Sequence, residues 1–113
     1  MAFIMLKKIF QQAIGWSLHL KITVRKLTKE DIKTRKLPNQ TTGLIVTKIG
    51  NTSPLLNSIK ANSVIVEVQK IKIKSAEDLE KIVKDVLKSN QKTILLAIYN
   101  NQNQRRYIGV KLD

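Results

Sequence analysis

Side chains capable of acid–base, nucleophilic or metal chemistry are few in this sequence of 113 residues. Cysteine is absent, which excludes disulfides and thiolate metal sites. The single histidine, His19, cannot by itself form a multi-histidine metal site or a catalytic dyad. The carboxylate pairs Glu30/Asp31 and Glu77/Asp78 fall in the predicted first turns of two helices, where capping explains them. Phosphate-binding glycine-rich loops are also missing. The sequence therefore predicts no catalytic site, no metal and no cofactor, and favours a binding function.

The charge balance is strongly basic, with 21 Lys and Arg against 8 Asp and Glu and a formal net charge of +13. Such an excess favours anionic partners, including nucleic acid, acidic membrane surfaces and peptide carboxylates. However, the lysines are spread over every segment and accompany many Ile and Asn residues, as codon bias in an AT-rich genome would produce. RNA-binding proteins usually combine basic with aromatic residues, whereas Trp16, Tyr99 and Tyr107 are sparse and form no basic-aromatic cluster in the sequence. We expect a solvated basic surface and no specific nucleic-acid partner, with charge-driven binding to nucleic acid or membranes as an alternative.

The first 16 residues combine apolar side chains with Lys7 and Lys8, as a signal peptide would. These lysines interrupt the apolar run, and no small-residue cleavage site follows it. Phe3, Leu6 and Phe10 instead recur at helical spacing, which predicts an amphipathic helical extension over residues 1–16. No stretch approaches the ~20 apolar residues of a membrane span, so no transmembrane segment is expected.

The most informative pattern for the fold runs from Thr42 to Val68. An apolar strand, Leu44 to Ile49, is followed by Ser53-Pro54, a pair typical of a helix start with Ser as N-cap and Pro at the first helical position. A turn at 61–63 comes next, in which Asn62 is the best candidate for a left-handed backbone. A second apolar strand, Val64 to Val68, ends the pattern.

The elements on either side of this pattern complete a compact domain. Alternating apolar residues from Leu18 to Val24 predict a strand with one buried face. Thr28 and Asp31 predict a capping box that opens a helix ending before Pro38. A short exposed strand is expected at 70–74, a long helix capped by Ser75, and a final hairpin from strands 93–99 and 107–112. The predicted fold class is α+β, a partly open antiparallel barrel or sandwich capped by two or three helices, over residues 17–113.

The order of these elements resembles a PDZ domain of an HtrA/Do-like (DegP-type) serine protease. The resemblance spans Leu18 to Leu112, and four collinear segments carry it: LKITVRKLTKEDIKTRKLP, GLIVTKIGNTSPLLNSIKANSVIVEVQKIKI, KSAEDLEKIV and TILLAIYNNQNQRRYIGVKL. The chain departs from the family at three places. It has Asn62-Ser63 where the family has Gly-Asp, and Ser58 where the family has Gly. It also has Leu20-Lys21-Ile22 where the carboxylate-binding loop reads apolar-Gly-apolar.

The resemblance implies binding of an extended peptide by β-strand addition between a sheet edge and a helix. The receiving strand would be Leu20 to Val24, the carboxylate-binding loop Ser17 to Lys21, and the facing helix Ala76 to Leu87. Leu79, Ile82 and Val86 would face the core. The predicted peptide-binding residues are Leu20, Lys21, Ile22, Thr23, Val24, Ala76, Glu80 and Val83. Lys21 could spoil the loop geometry, or its ammonium could add a charge-assisted contact to a carboxylate.

The implied function is regulation of proteolysis that a separate protease domain performs, because the Gly-Asn-Ser-Gly-Gly nucleophile motif and its catalytic triad are missing from this sequence. Expected partners are peptides or C-termini of unfolded proteins, and the protease domain or other subunits of a Do-like protease, with homo-oligomerisation as a further expectation. A periplasmic or cell-envelope location follows from the resemblance only. A degenerate PDZ domain that serves as a structural or oligomerisation module is an alternative.

Overall fold

The computed structural model describes residues 15–17 and 19–112, which form seven strands and two helices. The strands are β1 (Gly15–Ser17), β2 (Ile22–Lys26), β3 (Leu44–Ile49), β4 (Val64–Val68), β5 (Ile71–Lys72), β6 (Thr93–Tyr99) and β7 (Arg105–Lys111). The helices are α1 (Lys29–Arg35) and α2 (Ala76–Lys88). The predicted α+β class is confirmed, with two helices and an open antiparallel sheet.

The sheet has the order β1-β2-β3-β4-β6-β7, and the short β5 pairs with β4 beside this path. All pairings are antiparallel. β6 and β7 form the predicted hairpin, although β7 begins at Arg105 and not at Tyr107. β1 and β7 are thus the two ends of the strand order.

Alternate side chains of the central strands enter two separate apolar clusters on opposite faces of the sheet. The larger cluster includes Leu44, Val46 and Ile65 together with buried residues of α2. The smaller one includes Ile45, Val64, Val66 and Ala97, with Ile32 of α1 packed against it. Because both faces are covered, the central strands read as nearly continuous apolar runs in the sequence.

The predicted capping box at the start of α1 is confirmed. The Thr28 hydroxyl accepts a hydrogen bond from the Asp31 backbone N–H at 3.1 Å, and the Asp31 carboxylate accepts one from the Thr28 backbone N–H at 2.8 Å. The same carboxylate accepts two bonds from the Arg25 guanidinium of β2, at 2.7 and 2.9 Å. These bonds from Arg25, followed by those from Thr28, hold the pKa of Asp31 well below its usual value. The box therefore also ties α1 to the sheet.

The predicted helix at Ser53-Pro54 is wrong, because this segment forms successive turns. The Ser53 hydroxyl still accepts a bond from the Leu55 N–H at 3.0 Å, as an N-cap would, and Ile59 N–H donates to the Leu55 carbonyl at 3.1 Å. The segment between the cap and Ile59 has too few residues for its hydrogen bonds to offset the free-energy cost of helix nucleation. The prediction for Asn62 is confirmed, since its φ is 74°.

Two predicted strands are shorter in the structure. The first begins at Ile22, because Lys21 has a φ of 53° in the left-handed region and interrupts the extended backbone. Leu20 lies in the preceding turn but remains fully buried, whereas Leu18 lies outside the described residues. The strand expected at 70–74 is reduced to Ile71–Lys72, and Ile73 is fully buried and not exposed.

The predicted helical extension over 1–16 differs from the structure at its end, where Gly15 and Trp16 form part of β1. Residues 1–14 lie outside the described residues. Among the residues that are described, no helix is long and apolar enough to cross a membrane.

We predict that Asp31→Asn lowers the free energy of unfolding by about 1.5–3 kcal/mol near neutral pH, because bonds to a charged group are lost. The depressed pKa of Asp31 adds stability above the ordinary Asp pKa, and this stability is lost as the pH falls. The difference between wild type and Asp31→Asn should therefore shrink below about pH 4. Urea unfolding at a series of pH values measures it. Asp85→Asn, which replaces an exposed carboxylate of α2, is the control; equal differences at every pH would contradict the linkage.

Candidate peptide-binding groove

The edge of β2 that faces α2 is occupied by β1. On its other side β2 pairs with β3 from Ile22 to Lys26. β1 runs antiparallel to β2, with Gly15 opposite Val24, Trp16 opposite Thr23 and Ser17 opposite Ile22. A short extended segment of the chain itself therefore lies where the sequence predicts that a peptide adds.

The contact between β1 and the first residue of α2 is very close. A Cβ atom built on Gly15 would stand 2.5 Å from Cβ of Ala76 and 3.6 Å from Cγ2 of Val24. Real Cβ atoms do not approach other carbon atoms as closely as 2.5 Å. Only glycine fits at this place with the backbones where they are, and β1 is held between β2 and α2.

Side chains of β1 alternate between the groove and solvent, as in any strand. Ser17 points inward and is 2% exposed, whereas Trp16 is 53% exposed. The Trp16 ring leans toward Gly50, with Cη2 3.7 Å from where a Cβ on Gly50 would be. The inward positions of β1 thus carry only a glycine and a serine.

The turn that joins β1 to β2 uses the amides of the predicted carboxylate-binding loop. The Leu20 N–H donates to the Ser17 hydroxyl at 3.2 Å, and the Lys21 N–H donates to the Ser17 carbonyl at 2.7 Å. Gly50 N–H in turn donates to the Lys21 carbonyl at 2.8 Å, and the Ser53 hydroxyl donates to the Leu20 carbonyl. Ser17 thus accepts hydrogen bonds from two N–H groups of the loop that the sequence analysis predicts to bind a ligand carboxylate.

The predicted site residues lie along the two walls of this groove, at different depths. Leu20, Ile22, Val24 and Val83 are at most 1% exposed and belong to the larger apolar cluster. Thr23 is half-buried and Lys21 is exposed. Ala76 packs on the cluster next to β1. The division of α2 into groove and core positions is therefore less sharp than predicted, because Val83 is as buried as Leu79.

Glu80 lies one helical turn after Ala76 on α2. Its Oε1 atom is buried and has no hydrogen-bond partner among the described residues. A buried carboxylate oxygen without a donor is unfavourable. A ligand side chain that donates a hydrogen bond would relieve this cost.

Sequence reasoning missed the contributions of Gly15, Trp16, Gly50 and Ser53 to this site. A strand as short as β1 has too few residues to show alternation, and its position depends on α2, which lies about 60 residues away in the chain. The only local signal was the glycine directly before a tryptophan. The sequence analysis predicted Ser53 only as a helix cap, and the bonds that Gly50 and Ser53 make to the loop depend on the folded chain.

A cluster of basic and aromatic side chains also forms at the other end of the sheet, contrary to the sequence analysis. The Arg105 guanidinium lies 5.6 Å from the ring centre of Tyr107 and 5.8 Å from that of Tyr99. It donates to the Glu67 carboxylate at 3.0 Å. Glu67 therefore offsets part of the positive charge of this cluster. No group of three or more His, Asp or Glu suitable for a metal occurs in the described part of the chain.

No protein-family model matches the sequence, and no curated protein matches it by sequence. Solved structures do match the fold. One, described as the HtrA-type protease AlgW with decapeptide, has a TM-score of 0.59 at 18% identity, covering 98% of this chain and 33% of the protease. Another, of an AlgW variant with decapeptide, has a TM-score of 0.67 at 17% identity with the same coverage. The chain thus spans about a third of the length of these proteases, and the predicted resemblance to a PDZ domain of an HtrA protease is confirmed for the fold.

We predict that Lys21→Gly stabilises the protein by up to about 1 kcal/mol, because a left-handed conformation costs a non-glycine residue about 1–2 kcal/mol and glycine's greater unfolded-state entropy offsets part of that gain. Lys21→Val should destabilise it by about 1–2 kcal/mol. Chemical unfolding measures both. Lys74→Gly, at an exposed position without positive φ, is the control and should destabilise slightly. A Lys21→Gly protein no more stable than Lys74→Gly would contradict the expected strain.

Proposed function

We propose that this chain binds extended peptide segments by β-strand addition at the edge of β2 that faces α2, and thereby regulates proteolysis by a separate protease domain. One observation carries the proposal. This edge already holds an antiparallel extended segment, β1, between β2 and α2. A peptide in the same register would pair with the backbone of β2, which supplies affinity independent of sequence.

β1 also indicates how such a peptide would be oriented. Its C-terminal end lies at the loop before β2, so the ligand would place its C-terminus beside Leu20 and Lys21. The amides of these two residues would receive the terminal carboxylate, and the Lys21 ammonium, on an exposed side chain, would add attraction. Inward ligand side chains would meet apolar walls that include Val24 and Val83, which favours apolar termini.

The fold comparison supports the proposal through the AlgW structures, which were solved with a decapeptide. By the same resemblance, we infer that the ligands are exposed termini of unfolded or misassembled envelope proteins, in the periplasm or cell envelope. The partner would be a serine protease domain or other subunits of a Do-like protease. We also propose that the chain forms homo-oligomers and that a separate domain carries out the catalysis.

A structural or oligomerisation module is the second candidate, and the occupied groove favours it. In that case β1 would be a permanent part of the sheet, and no peptide would compete with it. Measurements with peptides separate the two candidates directly.

We predict that a peptide with an apolar C-terminal residue and a free carboxylate binds at least about tenfold more tightly than its C-terminal amide, because a charge-assisted hydrogen bond contributes about 1.5–3 kcal/mol. Calorimetric titration of both peptides measures this difference. Equal affinities would remove carboxylate capture, and binding of neither peptide would favour the structural module. Random-sequence RNA is a control, whose binding should fall steeply with salt if it occurs at all.

We further predict that Glu80 favours ligands in which a side chain that points between β2 and α2, an inward position, donates a hydrogen bond. Peptides that keep an apolar C-terminal residue and carry Lys or Leu two residues before it, at the next inward position, would be compared on wild type and on Glu80→Leu. Wild type should prefer Lys by about tenfold, since satisfying a buried charged acceptor is worth about 1.5–3 kcal/mol, and the variant should lose this preference. Glu77→Leu, at an exposed position of the same helix, is the matched control. An unchanged preference in Glu80→Leu would exclude this role.

A further inference from the structure

We propose that β1 is an internal competitor for the groove, so that a peptide binds only when Gly15–Ser17 leaves the edge of β2. This inference rests on the proposed function and adds a regulatory element to the same site. The groove would be closed in the described structure and opened by displacement of this short strand.

Backbone pairing makes the two occupants mutually exclusive. β2 has two edges, and the one away from α2 is fully paired with β3 from Ile22 to Lys26. The other edge offers a single set of N–H and C=O groups, opposite which β1 now lies. A peptide strand in this register would need the same groups.

β1 and the C-terminus of a peptide would also compete for the backbone N–H groups of the loop before β2. Leu20 N–H and Lys21 N–H both donate to Ser17, the last residue of β1. Ser17 is also 2% exposed, so it fills the space that a terminal side chain would enter. A peptide carboxylate therefore gains its donors only after Ser17 has released them.

β1 is weakly suited to compete with an apolar ligand, because its inward residues bury little apolar surface. Gly15 has no side chain and Ser17 has a hydroxyl, whereas Trp16 faces solvent. A peptide with apolar inward side chains would bury more surface against the same walls. At Gly15, however, a side chain would collide with Ala76. A ligand with a β-carbon there must therefore move the start of α2 outward, which β1 does not require.

Two independent changes to the full chain test the competition. Gly15→Val introduces a clash with Ala76 and should release β1. Gly109→Val is the matched control, because it makes the same replacement in β7, where a Cβ on Gly109 would have no atom within 4 Å. The double variant Trp16→Cys/Thr23→Cys joins directly opposed residues of β1 and β2, and no native cysteine interferes with its oxidation.

The measured quantity is the affinity of a fluorescein-labelled decapeptide ending in Ser-Leu-Val, from its fluorescence anisotropy. The apparent association constant is the intrinsic constant multiplied by the fraction of molecules in which the groove is open. Gly15→Val should therefore bind about tenfold or more tightly than wild type, with Gly109→Val unchanged. The oxidised double variant should lose binding, and its reduced form should regain it. In wild type, the fluorescence of Trp16, the single tryptophan, should change as an unlabelled copy of the peptide binds.

The outcomes separate this inference from the function on which it rests. If the peptide binds equally to wild type, Gly15→Val and the oxidised double variant, β1 is not a competitor, while peptide binding stands. If no form binds the peptide, including Gly15→Val and the reduced double variant, both the proposed function and the competition are overturned.

Discussion

Burial of the central sheet on both of its faces is the constraint on which the rest of the structure depends. β3, β4 and β6 contribute alternate side chains to two apolar clusters, one shared with α2 and one with α1. Neither helix could be removed without exposing a face of the sheet. α2 is therefore fixed beside β2 by the core itself, and a narrow groove between them is a consequence of how the core is built.

Local signals made much of this fold predictable from the sequence. The caps at Thr28 and Ser75 and the left-handed Asn62 depend on neighbours within a few residues, and the structure confirms them. The central strands were predictable because burial of both faces leaves a nearly continuous apolar run. The Ser53-Pro54 segment shows the limit of such signals, because a correct cap preceded too few residues for a helix.

The groove was less predictable, because its occupant depends on contacts between distant parts of the chain. Ala76 and Glu80 could be placed on a helix face from their spacing, but not the segment that packs against that face. The approach of Gly15 to Ala76 leaves no mark in either local sequence. Arg105 joins Tyr99, Tyr107 and Glu67 only because β4, β6 and β7 pair in the observed register. In the groove and in the Arg105 cluster, the sequence shows the residue types but does not show that folding brings them into contact.

Part of the chain's excess of positive charge lies along the end strand β7, where it affects how the sheet edge can pair. It is a long strand at the end of the sheet, and its outer edge has no partner strand among the described residues. Open edges of this kind invite the strands of other molecules to pair and aggregate. Arg106 and Lys111 place cations along β7, so two copies meeting edge to edge would repel each other. The same charge that suggests anionic partners thus disfavours edge-to-edge pairing of two copies at the end of the sheet opposite β1.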